Sequence, residues 1–219
     1  MSRIPLTLTT KPELRAPLLG WGVALGVLSH QVATGHAVWW DQLAASGVAT
    51  LRSPALDGPA HLVAWFGSSA WTVLVLAGLS VVAWRRRGVA AAVILLMAFA
   101  LSVGMEAVLR LTVPHWRPDT VTVPATMSLG MRFALTGFPS GHAIRSAFVF
   151  GWMSRESREL PAPWARLVRA GCLLMIGLVG FTRLYLNRHW VSDVLSGWLV
   201  VLVACAIARC WEQAVLRRP

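Results

Sequence analysis

A histidine and an aspartate four residues apart, His189 and Asp193, follow the cation Arg183 within the segment TRLYLNRHWVSD. Side chains four positions apart lie on one face of a helix. We therefore expect Asp193 to accept a hydrogen bond from one ring nitrogen of His189, which leaves the other nitrogen free as a nucleophile. An interfacial histidine beside a helix-capping aspartate is the simpler interpretation, and this segment alone does not separate the two.

A second stretch whose residues could take part in chemistry is Pro139 to His142, with the sequence PSGH. It precedes an apolar run. Proline and serine favour a helix start, and Gly141 allows the backbone to approach a ligand closely. The free N–H groups at a helix N-terminus bind anions. We therefore expect Ser140 and Gly141 to open a helix whose first turn faces a negatively charged group.

The third stretch is Arg110 to Pro118, with the sequence RLTVPHWRP, in which Arg110 and Arg117 lie seven residues apart. The arginine guanidinium matches phosphate oxygens in bidentate geometry. Together, the three stretches supply two histidines, three arginines, one aspartate and a helix N-terminus. Such a set suits phosphoryl transfer without a metal ion.

These stretches resemble, in order and spacing, the signature motifs of the type 2 phosphatidic acid phosphatase superfamily of lipid phosphatases. Those motifs are Lys-x6-Arg-Pro, Pro-Ser-Gly-His and Ser-Arg-x5-His-x3-Asp. The second is intact at 139–142, the third has Thr182 in place of serine at 182–193, and the first has Arg110 in place of lysine at 110–118. The resemblance covers roughly residues 59–205.

By this resemblance, His189 is the nucleophile that becomes phosphohistidine, Asp193 orients it, and His142 is the general acid for the leaving group. The resemblance also implies that no metal ion or other cofactor takes part. It implies a phosphate-binding set made of Arg110, Arg117, Arg183, Ser140 and Gly141.

The composition excludes most soluble classes of protein. The 219 residues are 56% hydrophobic and 13% charged, with a mean hydropathy of +0.62, which indicates a compact bundle in a membrane. The net charge of +11 lies in arginine clusters between apolar runs, which favours membrane topology and anionic head groups over nucleic acid. Cys172, Cys205 and Cys210 lack metal-ligand spacing and are interpreted as buried bystanders.

The apolar runs predict an all-α fold, a bundle of six transmembrane helices that forms a single domain over residues 1–219. The expected spans are about 17–36, 60–84, 88–109, 140–153, 170–186 and 190–210, and the fourth is short for a bilayer. We favour an uncleaved helix for the first run, with a signal peptide as the alternative. The stretch 39–56 is predicted to lie at the membrane interface.

Three polar residues near the motifs have roles that the sequence leaves open. Glu106 precedes Arg110 by one turn, and a supporting ion pair is the favoured interpretation because an unpaired acid inside a span is costly. Arg145 shares a helix face with His142 and either contacts phosphate or anchors a lipid head group. His115 lies inside the first motif and receives no assigned role.

Clusters of cationic residues predict the orientation in the membrane. The N-terminal segment, Arg85 to Arg87, Arg155 to Arg169 and the C-terminus hold three, three, four and at least two such residues on one side of a six-span arrangement. The positive-inside rule places that side, with both termini, in the cytoplasm. All three motifs then face the periplasm or exterior of the plasma (inner) membrane. We expect Val123 to be reachable from outside and Pro161 to be protected.

The sequence thus predicts an integral membrane phosphatase that acts on a lipid phosphate or diphosphate at the outer face. Undecaprenyl diphosphate and phosphatidylglycerol phosphate are the substrate types that such a site favours. Two alternatives remain: phosphotransfer to another lipid by the same residues, and a non-catalytic binder or transporter of anionic lipids. The set His142, His189 and Asp193 argues against a pure binder, because binding needs neither an acid nor an oriented nucleophile.

Overall fold

The structure, a computed structural model, describes residues 12–120 and 126–215. Within them the chain is helical, with one isolated antiparallel bridge between Trp116 and Thr136 as its β pairing. A 3-10 turn at Ser157–Glu159 separates the seventh and eighth α-helices. In chain order the α-helices of this part are α1 Pro12–Ala33, α2 Val38–Ala49, α3 Pro54–Trp65, α4 Ser69–Arg87, α5 Val89–Thr112, α6 Leu129–Leu135, α7 Gly141–Glu156, α8 Ala162–Tyr185 and α9 Val191–Val215.

Five stretches of the described residues are long and apolar enough to cross a membrane: Ala16–Ala33, Pro54–Arg87, Val89–Thr112, Ala162–Tyr185 and Val191–Gln213. This count matches a multi-pass membrane protein and does not confirm six spans. The predicted span that is missing from these five is the fourth, 140–153, which corresponds to helix α7. Its 16 residues extend about 24 Å at 1.5 Å per residue, less than the roughly 30 Å of a hydrocarbon core.

The predicted second span, 60–84, lies within the apolar stretch Pro54–Arg87, which two helices form because the chain breaks between α3 and α4 at residues 66–68. Ser68 caps α4 by accepting a hydrogen bond from the Trp71 amide at 3.3 Å. At Gly67 the backbone lies so close to α7 that a Cβ would sit 2.9 Å from the His142 carbonyl oxygen. The mean hydropathy of the whole stretch stays high although Gly67, Ser68 and Ser69 interrupt it locally, so the average concealed the break.

The predicted basic loop 155–169 is wrong in extent. Helix α8 already begins at Ala162, with Pro161 at its N-cap position and Pro163 in its first turn. Proline suits that position because its missing N–H would be unpaired there anyway. The predicted loop after α5 is interrupted by the short helix α6 and contains Val123, which lies outside the described residues.

Helix α9 forms the centre of the fold. In its apolar stretch 61% of the residues are buried, against 11–28% in the other four. Helices α1, α5 and α7 pack around it, and the largest core cluster joins residues such as Leu95, Phe148 and Val200 from three of these helices. Leucines on the outer faces, Leu74 and Leu173 among them, stay about two-thirds exposed, as expected for side chains that meet lipid.

The helix ends divide into two groups with different chemistry. At one end, arginines pair with glutamates from neighbouring helices: Arg86 with Glu159 at 2.5 Å, Arg155 with Glu212 at 2.8 Å, and Arg87 with Glu156. At the other end lie the end of α5, the start of α7, the end of α8 and the start of α9, which carry the three motifs. Helices α5, α7, α8 and α9 each connect these two ends, so the motifs converge away from the basic end.

Candidate active site

The pair His189 and Asp193 has the predicted contact. His189 Nδ1 lies 3.2 Å from Asp193 Oδ2, and the two side chains are buried, with 5% and 0% exposure. His189 precedes α9 rather than lying within it. Its position comes from the turn that ends α8, where Asn187 takes a φ of 56° and the Arg183 carbonyl accepts the amide of His189 at 3.2 Å. Asparagine tolerates this left-handed conformation better than most residues.

Asp193 also caps α9, so the capping contact of the simpler interpretation and the contact with His189 are both present. Its Oδ2 accepts the Trp190 amide at 2.9 Å, the contact expected of an acidic residue in the third position of a helix. Its second oxygen, Oδ1, accepts from His115 Nδ1 at 2.9 Å. A single buried carboxylate therefore receives three donors, two of them imidazoles.

The second motif opens α7 as predicted. Ser140 is the N-cap residue, fully buried, and its hydroxyl lies 3.5 Å from the Ala143 amide. Its own amide donates to the Asp193 carbonyl at 2.8 Å, which fixes the start of α7 against the start of α9. Gly197 makes the close approach possible, because a Cβ there would sit 2.9 Å from the Ser140 carbonyl oxygen.

Arg117 and Arg183 are the arginines available to an anion. Among the described residues neither guanidinium has an ion-pair or hydrogen-bond partner, and the buried Nε of each is unpaired. The positive charges of Arg117, Arg145 and Arg188 all act on Arg183. Burial lowers the pKa of the Arg117 guanidinium, and the nearby positive charge of Arg110 lowers it further. Asp119 and Asp193 lie near enough to Arg117 to offset part of this charge. Neither carboxylate forms an ion pair with Arg117 or Arg183 in the described residues, so these two partly buried cations favour binding of a multiply charged anion.

Arg110 is placed differently from the other arginines. It is 6% exposed and pairs with Glu106 at 2.9 Å, which confirms the predicted supporting ion pair. Its terminal nitrogens also donate to the carbonyls of Phe133, Thr136 and Pro139, each at 3.3 Å. These contacts make Arg110 a clamp on the segment that leads into the second motif, and its predicted contact with phosphate stays a prediction.

Arg145 faces the interior of the site. Its Nε donates to the Gly67 carbonyl at 2.9 Å, in the break between α3 and α4, and another nitrogen lies 3.9 Å from Glu106. A third lies 3.5 Å from His142 Nδ1. A guanidinium only donates, so His142 Nδ1 acts as the acceptor and the ring proton belongs on Nε2.

A set of loop contacts brings the first motif to the third. The His115 carbonyl accepts the Gly137 amide at 2.7 Å, and the Trp116 carbonyl accepts the indole N–H of Trp190 at 2.8 Å. At the rim, Arg188 pairs with Asp119 at 2.6 Å. These contacts hold the segment that carries Arg117 against the turn that carries His189.

Three residues of the site were missed by sequence reasoning. Asp41, from α2, is 2% exposed and accepts both the amide and the hydroxyl of Ser192, at 2.9 and 2.6 Å. A Cβ on Gly137 would sit 2.6 Å from Asp193 Oδ2. In the sequence, Gly137 gave little indication of this contact, because only the fold shows that it lies against the carboxylate of Asp193. The third is Gly197, whose close packing against the second motif is equally invisible in the sequence.

The protonation of His189 suits a nucleophile. Burial lowers its pKa below the usual range, and the hydrogen bond that His189 donates to Asp193 opposes that shift without cancelling it. The ring is therefore neutral at pH 7. With the Nδ1 proton held by Asp193, the Nε2 atom keeps its lone pair.

Comparisons with known proteins identify the family of this chain. Residues 91–217, more than half of the chain, match the PAP2 superfamily. A curated relative, "Phosphatidylglycerophosphatase B" of Bacillus subtilis (strain 168), is 22% identical over 196 residues, which cover 87% of this chain and 92% of the relative.

A solved structure shares the fold. It is described as the "first transmembrane PAP2 type phosphatidylglycerolphosphate phosphatase from Bacillus subtilis". It superposes with a TM-score of 0.76 at 20% identity and covers 93% of this chain and 99% of its own. The match to the family over the segment that carries all three motifs, together with this shared fold, shows that the chain belongs to the PAP2 superfamily.

Proposed function

We propose that the protein is a membrane phosphatase that removes a phosphate from a lipid phosphate or diphosphate. The observation that carries this proposal is the buried His189–Asp193 pair beside two arginines, Arg117 and Arg183, that have no partner among the described residues. An oriented nucleophile next to unpaired cations is what phosphoryl transfer requires, since catalysis there is mostly positioning and charge stabilisation.

In the proposed reaction, His189 Nε2 attacks phosphorus, and its lone pair forms the N–P bond. In this scheme His142 is an imidazolium when substrate is bound. The P–O bond to the lipid breaks, the leaving oxygen takes the Nε2 proton of His142, and the ring becomes neutral with its remaining proton on Nδ1. In the second step, water attacks phosphorus, gives a proton back to His142 and breaks the N–P bond, so inorganic phosphate leaves. With a diphosphate substrate the first leaving group is the lipid monophosphate.

Phosphate charge and His142 protonation are linked in this scheme. The Arg145 contact opposes a proton on His142 Nδ1, so the free enzyme does not favour the imidazolium. A bound phosphate supplies negative charge that favours it. In this scheme His142 is therefore charged, and able to act as the general acid, when substrate is present.

We further propose that the site faces the periplasm or exterior and needs no metal ion. Support for the orientation comes from the arginine-rich end opposite the motifs, which the positive-inside rule assigns to the cytoplasm. Support for the metal-free chemistry comes from the donor set. In the part of the chain that the structure describes, no group of three histidine, cysteine, aspartate or glutamate side chains is arranged to hold a metal ion.

Phosphate release from a panel of lipids tests this function. Detergent-purified protein is assayed with phosphatidylglycerol phosphate, the substrate type in the relative's name, with phosphatidic acid and with undecaprenyl diphosphate, in the presence and absence of EDTA. We expect release from at least one lipid, unchanged by EDTA and lost in His189→Ala. A non-catalytic lipid binder would release no phosphate from any of them, and a metal enzyme would lose activity in EDTA and regain it with Mg²⁺.

A further inference from the structure

The second oxygen of the Asp193 carboxylate has a partner that the reaction above does not use. His115 Nδ1 lies 2.9 Å from Asp193 Oδ1, on the side of the carboxylate away from His189. The His115 side chain is 13% exposed and Asp193 is fully buried, so little water competes for this contact. An unprotonated carboxylate only accepts, so the proton of this hydrogen bond belongs to His115 Nδ1.

The opposite edge of the His115 ring, at Nε2, lies near a second buried carboxylate. His115 Nε2 lies 3.8 Å from Asp41 Oδ2, too far for a direct hydrogen bond and near enough for an ion pair when the ring carries both protons. Asp41 is itself fixed by Ser192, the residue just before Asp193. The ring of contacts Asp41, His115, Asp193 and Ser192 thus closes on the first turn of α9 and joins three separate segments.

These contacts fix the orientation of the Asp193 carboxylate, on which the orientation of His189 depends. A carboxylate with one free oxygen rotates about its terminal bond, and each rotation changes the direction of the acceptor offered to His189. Donors on both oxygens hold the carboxylate plane. Gly137 packs against the same group, because a Cβ there would meet Oδ2 at 2.6 Å.

We propose that His115 is a positioning residue of the reaction: it holds Asp193, and Asp41 holds His115, so that His189 presents Nε2 in one orientation. The proposal rests on the proposed function, since it assigns His115 to the His189 nucleophile. His115 does not contact the phosphate in this scheme. Its loss lowers kcat and leaves substrate affinity unchanged.

Conservative substitutions separate positioning from simple packing. Asparagine places an amide N–H near the position of Nδ1, whereas glutamine extends it toward Nε2, so His115→Asn keeps the donor to Asp193 and His115→Gln does not. Outer partners of metal-bound histidines contribute about 10- to 100-fold in activity, which sets the scale for a partner that orients a histidine here. We expect a loss of this size in kcat for His115→Ala and His115→Gln, recovery of most of it in His115→Asn, and a smaller loss in Asp41→Asn.

The test measures kcat and KM on the panel lipid that the wild type hydrolyses fastest, vanadate affinity, and ¹⁵N spectra of histidine-labelled protein. The matched control is His61→Gln, an exposed histidine whose Nδ1 contacts only the carbonyl of Asp57. In the spectra we expect His189 to hold its proton on Nδ1 in the wild type and in His115→Asn, and to lose this single tautomer in His115→Ala. The spectra need no substrate, so they test the inference on their own.

Different failures point to different errors. No phosphate release by the wild type from any lipid would refute the proposed function, and full activity in His189→Ala would refute the nucleophile to which His115 is assigned. Loss of activity in His189→Ala with wild-type kcat and an unchanged His189 tautomer in His115→Ala would overturn only the role of His115. A raised KM with unchanged kcat would also overturn it, because His115 would then bind substrate. Equal losses in His115→Ala and His115→Asn, both well folded, would contradict the hydrogen bond as the cause.

Discussion

The change Asp193→Asn separates the two roles that this carboxylate combines. In the wild type it accepts three hydrogen bonds, from His189, Trp190 and His115. An amide has one accepting atom and one donating group, so it satisfies either the His189 and Trp190 side or the His115 side, and not both. If the amide N–H₂ faces His189, that ring must accept at Nδ1 and move its proton to Nε2. The nucleophilic lone pair is then lost.

The magnitude follows from the contacts. A capping role alone predicts a loss of about 1 kcal/mol in the free energy of unfolding and little change in rate. A hydrogen bond to a charged group contributes about 1.5–3 kcal/mol. If one such bond is lost in the transition state, the upper figure corresponds to about a hundredfold in kcat. Loss of the orienting aspartate in a serine protease triad costs about 10⁴, which sets an upper scale. Because the amide also opposes the nucleophilic tautomer of His189, we expect a larger loss than that of one hydrogen bond, with kcat falling at least about a hundredfold.

The assay compares purified Asp193→Asn with the wild type for phosphate release, vanadate affinity and thermal unfolding in detergent. Vanadate affinity should change little, because the arginines that bind the anion are untouched. Asp57→Asn is the matched control: this exposed carboxylate accepts from the Tyr185 hydroxyl at 3.0 Å, and an amide oxygen still can. A kcat within about threefold of the wild type, with normal folding, would refute the orienting role and leave only the cap.

Three further predictions address the site, its titration and its orientation. Gly137→Ala should lose most activity because its Cβ would sit 2.6 Å from Asp193 Oδ2, whereas Gly151→Ala, with open space around its Cβ on α7, should retain it; equal effects in lipid hydrolysis assays would contradict the packing argument. Because His189 must be neutral to attack and burial lowers its pKa, kcat/KM should decline on the acid side only below about pH 6.5. A half-maximal point above pH 7 would oppose this. In a cysteine-free background, an impermeant reagent applied to intact cells should label a cysteine at Thr120, next to the predicted position Val123, and spare one at Pro161. The reverse pattern would place the site inside the cell.

Local sequence signals predicted contacts between residues close in the chain better than the long-range contacts that hold the site together. The contact between His189 and Asp193 and the start of α7 at Gly141 depend on residues within four positions of one another, so spacing and capping preferences suffice. The partners of Asp41 and His115 lie 151 and 78 residues away along the chain. No periodicity encodes such pairs. The engagement of Arg110 by carbonyls 23 to 29 residues away was hidden for the same reason.

Helix boundaries failed where tertiary contacts outweigh hydropathy. The break at Gly67 exists because the backbone there meets α7 and supplies a carbonyl to Arg145, and neither contact changes the apolar pattern of residues 60–84. Helix α8 starts at Ala162 despite Arg166 and Arg169, since basic side chains at the end of a membrane helix reach the interface while the backbone stays helical. Pro161 and Pro163 were available as signals of this start, because proline is frequent at the first positions of a helix.

The most direct test of the central claim is detection of the phosphorylated enzyme. Protein mixed with ³²P-labelled substrate lipid is quenched in alkali within milliseconds to seconds, and the labelled peptide is identified by mass spectrometry. We predict an acid-labile, alkali-stable phosphoramidate on His189, absent in His189→Ala and still formed in His142→Ala from a substrate with a good leaving group. Rapid turnover with no labelled enzyme, or label on another residue, would contradict the account.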